Sequence, residues 1–392
     1  MFGGLVICTD ALINHSPLCH GHQPLKVQPT KRQNAPTTKQ PINQSTNQPI
    51  NQTTKQQNNQ PVQSLLYYNT FGIDQSCRAL YEPDSVSALQ ALLPALRNQP
   101  LLVIGGGSNL LLTKDFDGNV LRPAIKGITI VSDDDADSVL LRCGAGEVWD
   151  EVIAYAVAHG YYDMENMSLI PGEVGASAIQ NVGAYGMEAK DVIHTVEALE
   201  IATGNAATFT CADCCYAYRY SRFKAEWKGK YIVTHVTYRL SKTFTPRLDY
   251  GNLRAVLERK GITVPTAQDV RQAVIEIRQS KLPDPKEEGN AGSFFMNPIV
   301  SQEKFDELYA RYPNMPYYVV GEKYKIPAGW MIEQCGWKGK TLGRAGVHSR
   351  QALVLVNKGG ATGAEILALC NAVRAEVQRT FGIDIHPEVN II

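Results

Sequence analysis

The chain has 392 residues, room for two or three domains of roughly 100–200 residues each. Its 38 Lys and Arg balance 38 Asp and Glu, so no global field draws it to nucleic acid or an anionic membrane. No run reaches the ~18–20 apolar residues of a membrane helix, and the nine scattered cysteines suit reduced thiols in a cytoplasmic protein better than a disulfide framework.

In chain order, the opening "MFGGLVICTDALINHS" lacks a basic n-region and its apolar run is broken by Asp10, so no secretory signal is expected. Residues 23–63 are rich in Gln, Asn, Thr and Pro and offer little to bury, which predicts a disordered extension over residues 1–63. Order is expected from "LLYYNTFGID" (65–74). A strand-like "RALYEP", a helix-like "SVSALQALLPAL" and the apolar "PLLVIGGGSNLLLT" then read as a β-α-β unit, giving a first domain over 64–126.

The second domain, 127–280, begins with the strands "VLRPAIKGITIV" and "SVLLRCGAGEVW" and the amphipathic helix "WDEVIAYAVAHGY". It continues through the strands "TVEALEIATG", "AATFTC" and "YIVTHVTYRLS", the last with period-2 alternation, to the helix "TAQDVRQAVIEIRQSK". Cys211, Cys214 and Cys215 form a CxxCC cluster with no second Cys/His pair at finger-like spacing, so no metal site is expected. "LPDPKEEG" marks a boundary. The third domain, 281–392, carries a strand around "GSFFMNPIV", the helices "SQEKFDELYARY" and "AGWMIEQCG", the strand "QALVLVN", a long helix from Gly363 and the closing "IHPEVNII". The pattern is α+β with mixed sheets rather than repeated βαβ units.

Two glycine segments carry chemistry. Gly105, Gly106 and Gly107, followed by Ser108 and Asn109, come straight after the strand "LLVI". Without Cβ atoms, successive N–H groups can approach a pyrophosphate closely. Leu110 stands where a Rossmann fingerprint needs its third glycine, and "LLLT" reads as extended, so that fold is disfavoured. The second segment, "IPGEVGASAIQNVGAYG" (170–186), lets main chain press on a flat ligand: Pro171, Gly172, Gly175, Ala176 and Gly183 keep it bare, and Gln180 and Asn181 offer polar partners. A flat ring plus a pyrophosphate points to FAD. The bland readings are a glycine turn and a tight loop crossing.

"YNTFGID", "GGGSNLL", "IPGEVGASAIQNVGAYG", "YRYSRFK", "KLPDPKEEGNAGSFFMNP" and "HPEVNII" resemble, in order and spacing, the UDP-N-acetylenolpyruvoylglucosamine reductase (MurB) family over about residues 65–392. The resemblance implies an FAD-binding module of the vanillyl-alcohol-oxidase/p-cresol-methylhydroxylase type, with two α+β subdomains, plus a C-terminal α+β substrate-binding domain. It implies non-covalent FAD, NADPH as hydride donor, and reduction of UDP-N-acetylglucosamine enolpyruvate to UDP-N-acetylmuramate by a monomeric cytoplasmic enzyme. Arg219, Ser293 and Glu388 match the family's catalytic residues: Arg219 for the carboxylate, Ser293 as proton donor, and Glu388 either orienting Arg219 or donating a hydrogen bond itself. Asn69, Ala184 and Tyr185 join the glycine segments as cofactor contacts. Tyr218, Tyr250, Lys281, Asn297, Tyr318 and Gln351 match substrate contacts, with Tyr317 an alternative to Tyr318 and His348 read as structural.

Departures from the family are Ala217 and Tyr220 around Arg219, and Glu173, which replaces a small or neutral residue in the second loop and is expected to point to solvent. The rivals are another flavin-dependent oxidoreductase of the same fold and a non-catalytic nucleotide-sugar-binding relative. Against the first, Ser108 and Asn109 stand where many such enzymes carry a His or Cys for covalent flavin.

Overall fold

The computed structural model describes residues 62–392. The expected disordered extension lies outside the described residues except for its last two, and of these Gln63 is already in a strand: Gln63–Ser64 pairs with Ser76–Cys77 on an open sheet edge.

In the first unit, Phe116–Leu121 lies between Ser76–Tyr81 and Leu101–Val103, parallel to both. The crossover helix Val86–Leu96 starts where the Ser85 hydroxyl accepts from the Ala88 N–H, and it buries Leu89, Leu93 and Leu96. These leucines pack on Leu199, Ile201 and Ile232 of the next sheet, so the two units share a core.

That next sheet is antiparallel, in the order Ala206–Thr210, Ile193–Glu200, Tyr231–Ser241, Ser138–Gly144, Ile128–Ser132. Its central strand was expected to alternate, yet Ile232 through Tyr238 are all buried. Val233, Val236, Tyr238 and Leu240 pack in the core of the helix Trp149–Ala158, Ile232 packs against the helix of the first unit, and Thr234 Oγ1 donates to Glu197 O at 3.2 Å, so both faces are covered until the exposed Arg239.

In the third unit the strands run Asn290–Ser293, Val354–Asn357, Ala345–Val347, Thr341–Leu342, backed by the helix Gly363–Phe381. A reciprocal Thr362/Glu365 capping box starts that helix, and Gly382 at φ +67° ends it. The single strand expected around "GSFFMNPIV" is two, Asn290–Ser293 and Ile299–Val300. Gly292 at φ +68° bulges the first, and Pro298 has no N–H to continue the ladder.

The C-terminus closes the architecture. Asn390–Ile391 runs parallel to Leu110–Leu111, directly after the first glycine loop, and Thr113 N donates to Ile392 O at 2.8 Å. Leu111, Phe71 and Ile73 in turn sit in the core of the third unit. Among the described residues no helix is long and apolar enough to cross a membrane.

Candidate active site

A cavity of about 1320 Å³ opens where the three units meet. Ligand pockets usually hold ~300–1,000 Å³, so this one has room for more than one ligand. Every site residue expected from sequence lines it except Asn69, Asn181 and Tyr218.

The two glycine loops touch. Ser108 Oγ donates to Pro171 O at 3.1 Å, and a Cβ on Gly172, which has φ +119°, would come within 2.9 Å of that hydroxyl. Asn109 Nδ2 donates to Gln180 Oε1 at 3.4 Å. Two adjoining loops bare of side chains in one large cavity fit a dinucleotide cofactor, whose pyrophosphate needs close backbone approach. The second segment is not a plain loop: residues 174–180 form a short helix, Val174–Gln180. Its glycine content hides it in the sequence, yet Gly175 is what allows the helix within reach of Ala145, whose carbonyl accepts from Gly175 N at 2.9 Å.

Arg219 is held by its backbone. It sits in a tight turn closed by Ala217 N to Tyr220 O (3.1 Å) and Tyr220 N to Ala217 O (2.9 Å), with φ +55°, a conformation that non-glycine residues rarely adopt. Its Nη1 and Nη2 donate to Asn181 O (3.3 Å) and Gly183 O (2.9 Å). Its Nε lies 2.6 Å from Glu388 Oε1, but the buried Nε–H is not aligned as a hydrogen bond, so the contact is a charge contact. Burial pushes the Glu388 carboxyl above its ordinary range, against the pull of Arg219 and Lys224.

The C-terminal tail carries Glu388 to this point. Met296 N donates to His386 O (2.9 Å) and Glu388 N to Phe294 O (2.8 Å), which lays the tail beside the segment that follows Ser293. On its other side Asn390 N donates to Asn109 O (3.1 Å) and Asn109 Nδ2 to Glu388 O (3.3 Å). Ser293 ends its strand one residue after the positive-φ Gly292, exposed to the cavity, and its hydroxyl has no hydrogen bond among the described residues.

The three residues off the cavity wall support it. Asn69 donates to Leu65 O and Ile73 O (both 2.8 Å) and pins the turn against which Gly107 packs. Asn181, at φ +46°, donates to Ala217 O (2.9 Å) and so steadies the turn of Arg219. The Tyr218 ring lies 5.4 Å from the Arg219 guanidinium and 4.8 Å from Lys325 Nζ. Farther along the wall Tyr250 and Tyr318 stack at 6.1 Å, and burial pushes the Tyr250 hydroxyl up to about 12. Tyr317 instead packs on Phe305 at 4.7 Å, which leaves Tyr318 as the cavity partner. His348 is buried, and its Nδ1 accepts from Arg350 N at 3.4 Å.

Three cations escaped the sequence reading. Lys224 Nζ donates to Arg219 O at 2.9 Å, and burial lowers its pKa. Arg278 lines the cavity with no carboxylate at ion-pair distance among the described residues; burial lowers its pKa as well. Lys325 stands over Tyr218 and Tyr318. Lys224 lies inside "YRYSRFK" and Arg278 three residues before Lys281 on one helix, so motif membership and helical spacing were available signals. Glu173 also differs from expectation. It is buried and paired with Arg122, whose Nε donates to Glu173 Oε1 at 3.0 Å, because 121–122 runs directly behind the loop that carries it.

Comparison with known proteins agrees with these features. The family described as "UDP-N-acetylenolpyruvoylglucosamine reductase, C-terminal domain" matches residues 284–392, and "FAD binding domain" matches 77–212. The chain is 54% identical over 332 residues to the UDP-N-acetylenolpyruvoylglucosamine reductase of Bacteroides fragilis strain YCH46, covering 84% of this chain and 98% of that one. It is 46% identical over 333 residues to the enzyme of that name from Burkholderia ambifaria, covering 84% and 95%. The crystal structure of UDP-N-acetylenolpyruvylglucosamine reductase from Thermus caldophilus superposes with a TM-score of 0.60 at 21% identity, covering 84% of this chain and 98% of that one, which shows a shared fold.

Proposed function

The chain belongs to the UDP-N-acetylenolpyruvoylglucosamine reductase family, and we infer from that premise that it catalyses the NADPH-dependent, FAD-mediated reduction of UDP-N-acetylglucosamine enolpyruvate to UDP-N-acetylmuramate for peptidoglycan synthesis. The observation that carries the reading is one cavity lined by both bare glycine loops and by Arg219, Ser293 and Glu388. When bound, FAD supplies a two-electron carrier between NADPH and the alkene. The loops 105–109 and 171–185 are assigned to hold it, without a covalent bond.

The remaining steps belong to side chains. Reduction of the enolpyruvyl alkene pushes negative charge onto its carboxylate, so a cation must already be in place. Arg219 meets that need: its Nη groups are tied to two carbonyls, which fixes the guanidinium before substrate arrives. Glu388, at 2.6 Å from Nε, orients it. Ser293 gives the proton to the carbon next to the carboxylate. A serine hydroxyl is a weak acid, adequate against a strongly basic carbanion, and its exposure to the cavity lets water restore the proton. Lys281 suits the diphosphate, Tyr250 and Tyr318 suit flat packing on the uridine, and Asn297 and Gln351 complete the substrate contacts.

The domain limits 64–126, 127–280 and 281–392 fit this division of labour, the first two for cofactor and the third for substrate. We take the enzyme to act as a monomer in the cytoplasm, where NADPH and nucleotide sugars are available. The test is to mix purified protein, NADPH and UDP-N-acetylglucosamine enolpyruvate and follow both reactants. Equimolar loss of NADPH and gain of UDP-N-acetylmuramate is expected; flavin that stays on acid-precipitated protein, or no product, would point to a different flavin enzyme.

A further inference from the structure

A polar chain of four residues runs behind the cofactor loops and has no part in the chemistry above. Tyr68 Oη donates to Glu82 Oε2 (2.8 Å), Arg122 Nη1 donates to Glu82 Oε1 (2.8 Å), and Arg122 Nε and Nη2 both donate to Glu173 Oε1. One end of the chain backs the first glycine loop, since a Cβ on Gly107 would lie 2.0 Å from Tyr68 O. The other end belongs to the second loop, where Trp149 N to Gly172 O (3.0 Å) and Val174 N to Glu147 O (2.9 Å) fix the backbone around Glu173.

Two details set this pair apart from an ordinary surface bridge. Glu173 is only 4% exposed, so its charge is not screened by bulk water. Both hydrogen bonds from Arg122 end on Oε1, while Oε2 has no hydrogen bond among the described residues and would stand 3.3 Å from a Cβ on Gly105, in the cavity wall. A bare carboxylate beside amides meant for a pyrophosphate would repel the ligand that those amides attract. Arg122, although shared with Glu82, offsets that charge at contact distance.

We propose that Arg122 and Glu173 are positioning residues for FAD: the pair sets the spacing of the two glycine loops, and Arg122 offsets the charge of the Glu173 carboxylate at the pyrophosphate site. This rests on the flavin reading above. A staple that only stabilised the fold would show this ranking in melting temperature alone, and the variants that fold would bind FAD with wild-type affinity.

The experiment is titration of apoprotein with FAD, followed by flavin fluorescence, for wild type, Glu173→Gln, Arg122→Met and the double variant, each checked for folding by thermal melting. Arg122→Met, which strands a buried carboxylate, should weaken FAD binding about thirtyfold or more; Glu173→Gln should weaken it about threefold, and the double variant should recover to within about tenfold of wild type. Arg122→Met binding no more weakly than the double variant would overturn the proposal, as would all three binding within about twofold of wild type. If Arg122→Met does not fold, the other two decide: each must bind FAD more weakly than wild type by more than about twofold, and wild-type affinity in either overturns the proposal. Failure of the wild-type protein itself to bind FAD would instead sink the flavin reading.

Discussion

Two arginine–carboxylate pairs each put a carboxylate, Glu173 and Glu388, in the wall of the same cavity, and their arginines are held in opposite ways. Arg122 spends two donors on Glu173 Oε1 and a third on Glu82, so each of its three nitrogens is tied to a side-chain carboxylate. Arg219 spends its Nη donors on backbone carbonyls, in a turn at positive φ, and meets Glu388 without an aligned hydrogen bond. Burial lifts both carboxyls above their ordinary range. The contrast separates a fixture from a working pair. An arginine tied to carboxylates through all three nitrogens keeps two loops in place, whereas an arginine fixed by backbone leaves its carboxylate contact open to a substrate carboxylate.

The largest effect expected from breaking this contrast lies beside the working pair. Ser293→Ala should slow reoxidation of reduced flavin by substrate about 10²–10⁴-fold while flavin reduction by NADPH stays at the wild-type rate, measured as separate half-reactions. Next, Arg219→Lys keeps a charge but loses the fork, and should lower the substrate half-reaction by about 10²–10³-fold with FAD affinity unchanged. That is the reverse of the pattern expected at Arg122, where affinity moves.

Glu388→Gln is expected to cost about tenfold, and its pH profile carries the sharper information. Because burial raises the Glu388 carboxyl, with Arg219 and Lys224 facing it, the carboxylate is lost as pH falls through that raised value. The substrate half-reaction should fall on this acid limb, and Glu388→Gln should flatten it. A rate that rises as pH falls would mean that protonated Glu388 is itself the hydrogen-bond donor. The smallest effect is at the cavity mouth: Tyr318→Ala should raise KM for the UDP-sugar about three- to tenfold with kcat held, and Tyr317→Phe should leave both unchanged.

Sequence order made the working pair legible and left the fixture hidden. Arg219 and Ser293 lie in ordered motifs, and each glycine loop announces itself by composition. Glu388 was legible as a residue, but its route to the cavity depends on the pairing of Asn390–Ile391 with Leu110–Leu111, a contact about 280 positions apart in sequence that no local pattern encodes. Glu173 stood out only as an unexpected charge. Its partner Arg122 lies 51 positions earlier, and pairing across that distance is set by how the loop at 171–175 packs behind the strand Phe116–Leu121. Lys325 was missed for the same reason, since the hairpin that presents it rests on contacts with Ile299–Val300 rather than on a strong local signal.

The most direct test of the whole account is anaerobic and optical. NADPH added to the FAD-loaded enzyme should bleach the flavin colour, and UDP-N-acetylglucosamine enolpyruvate added next should restore it in wild type and only very slowly in Ser293→Ala. Flavin that NADPH cannot bleach, or colour that returns equally fast in both proteins, would contradict it.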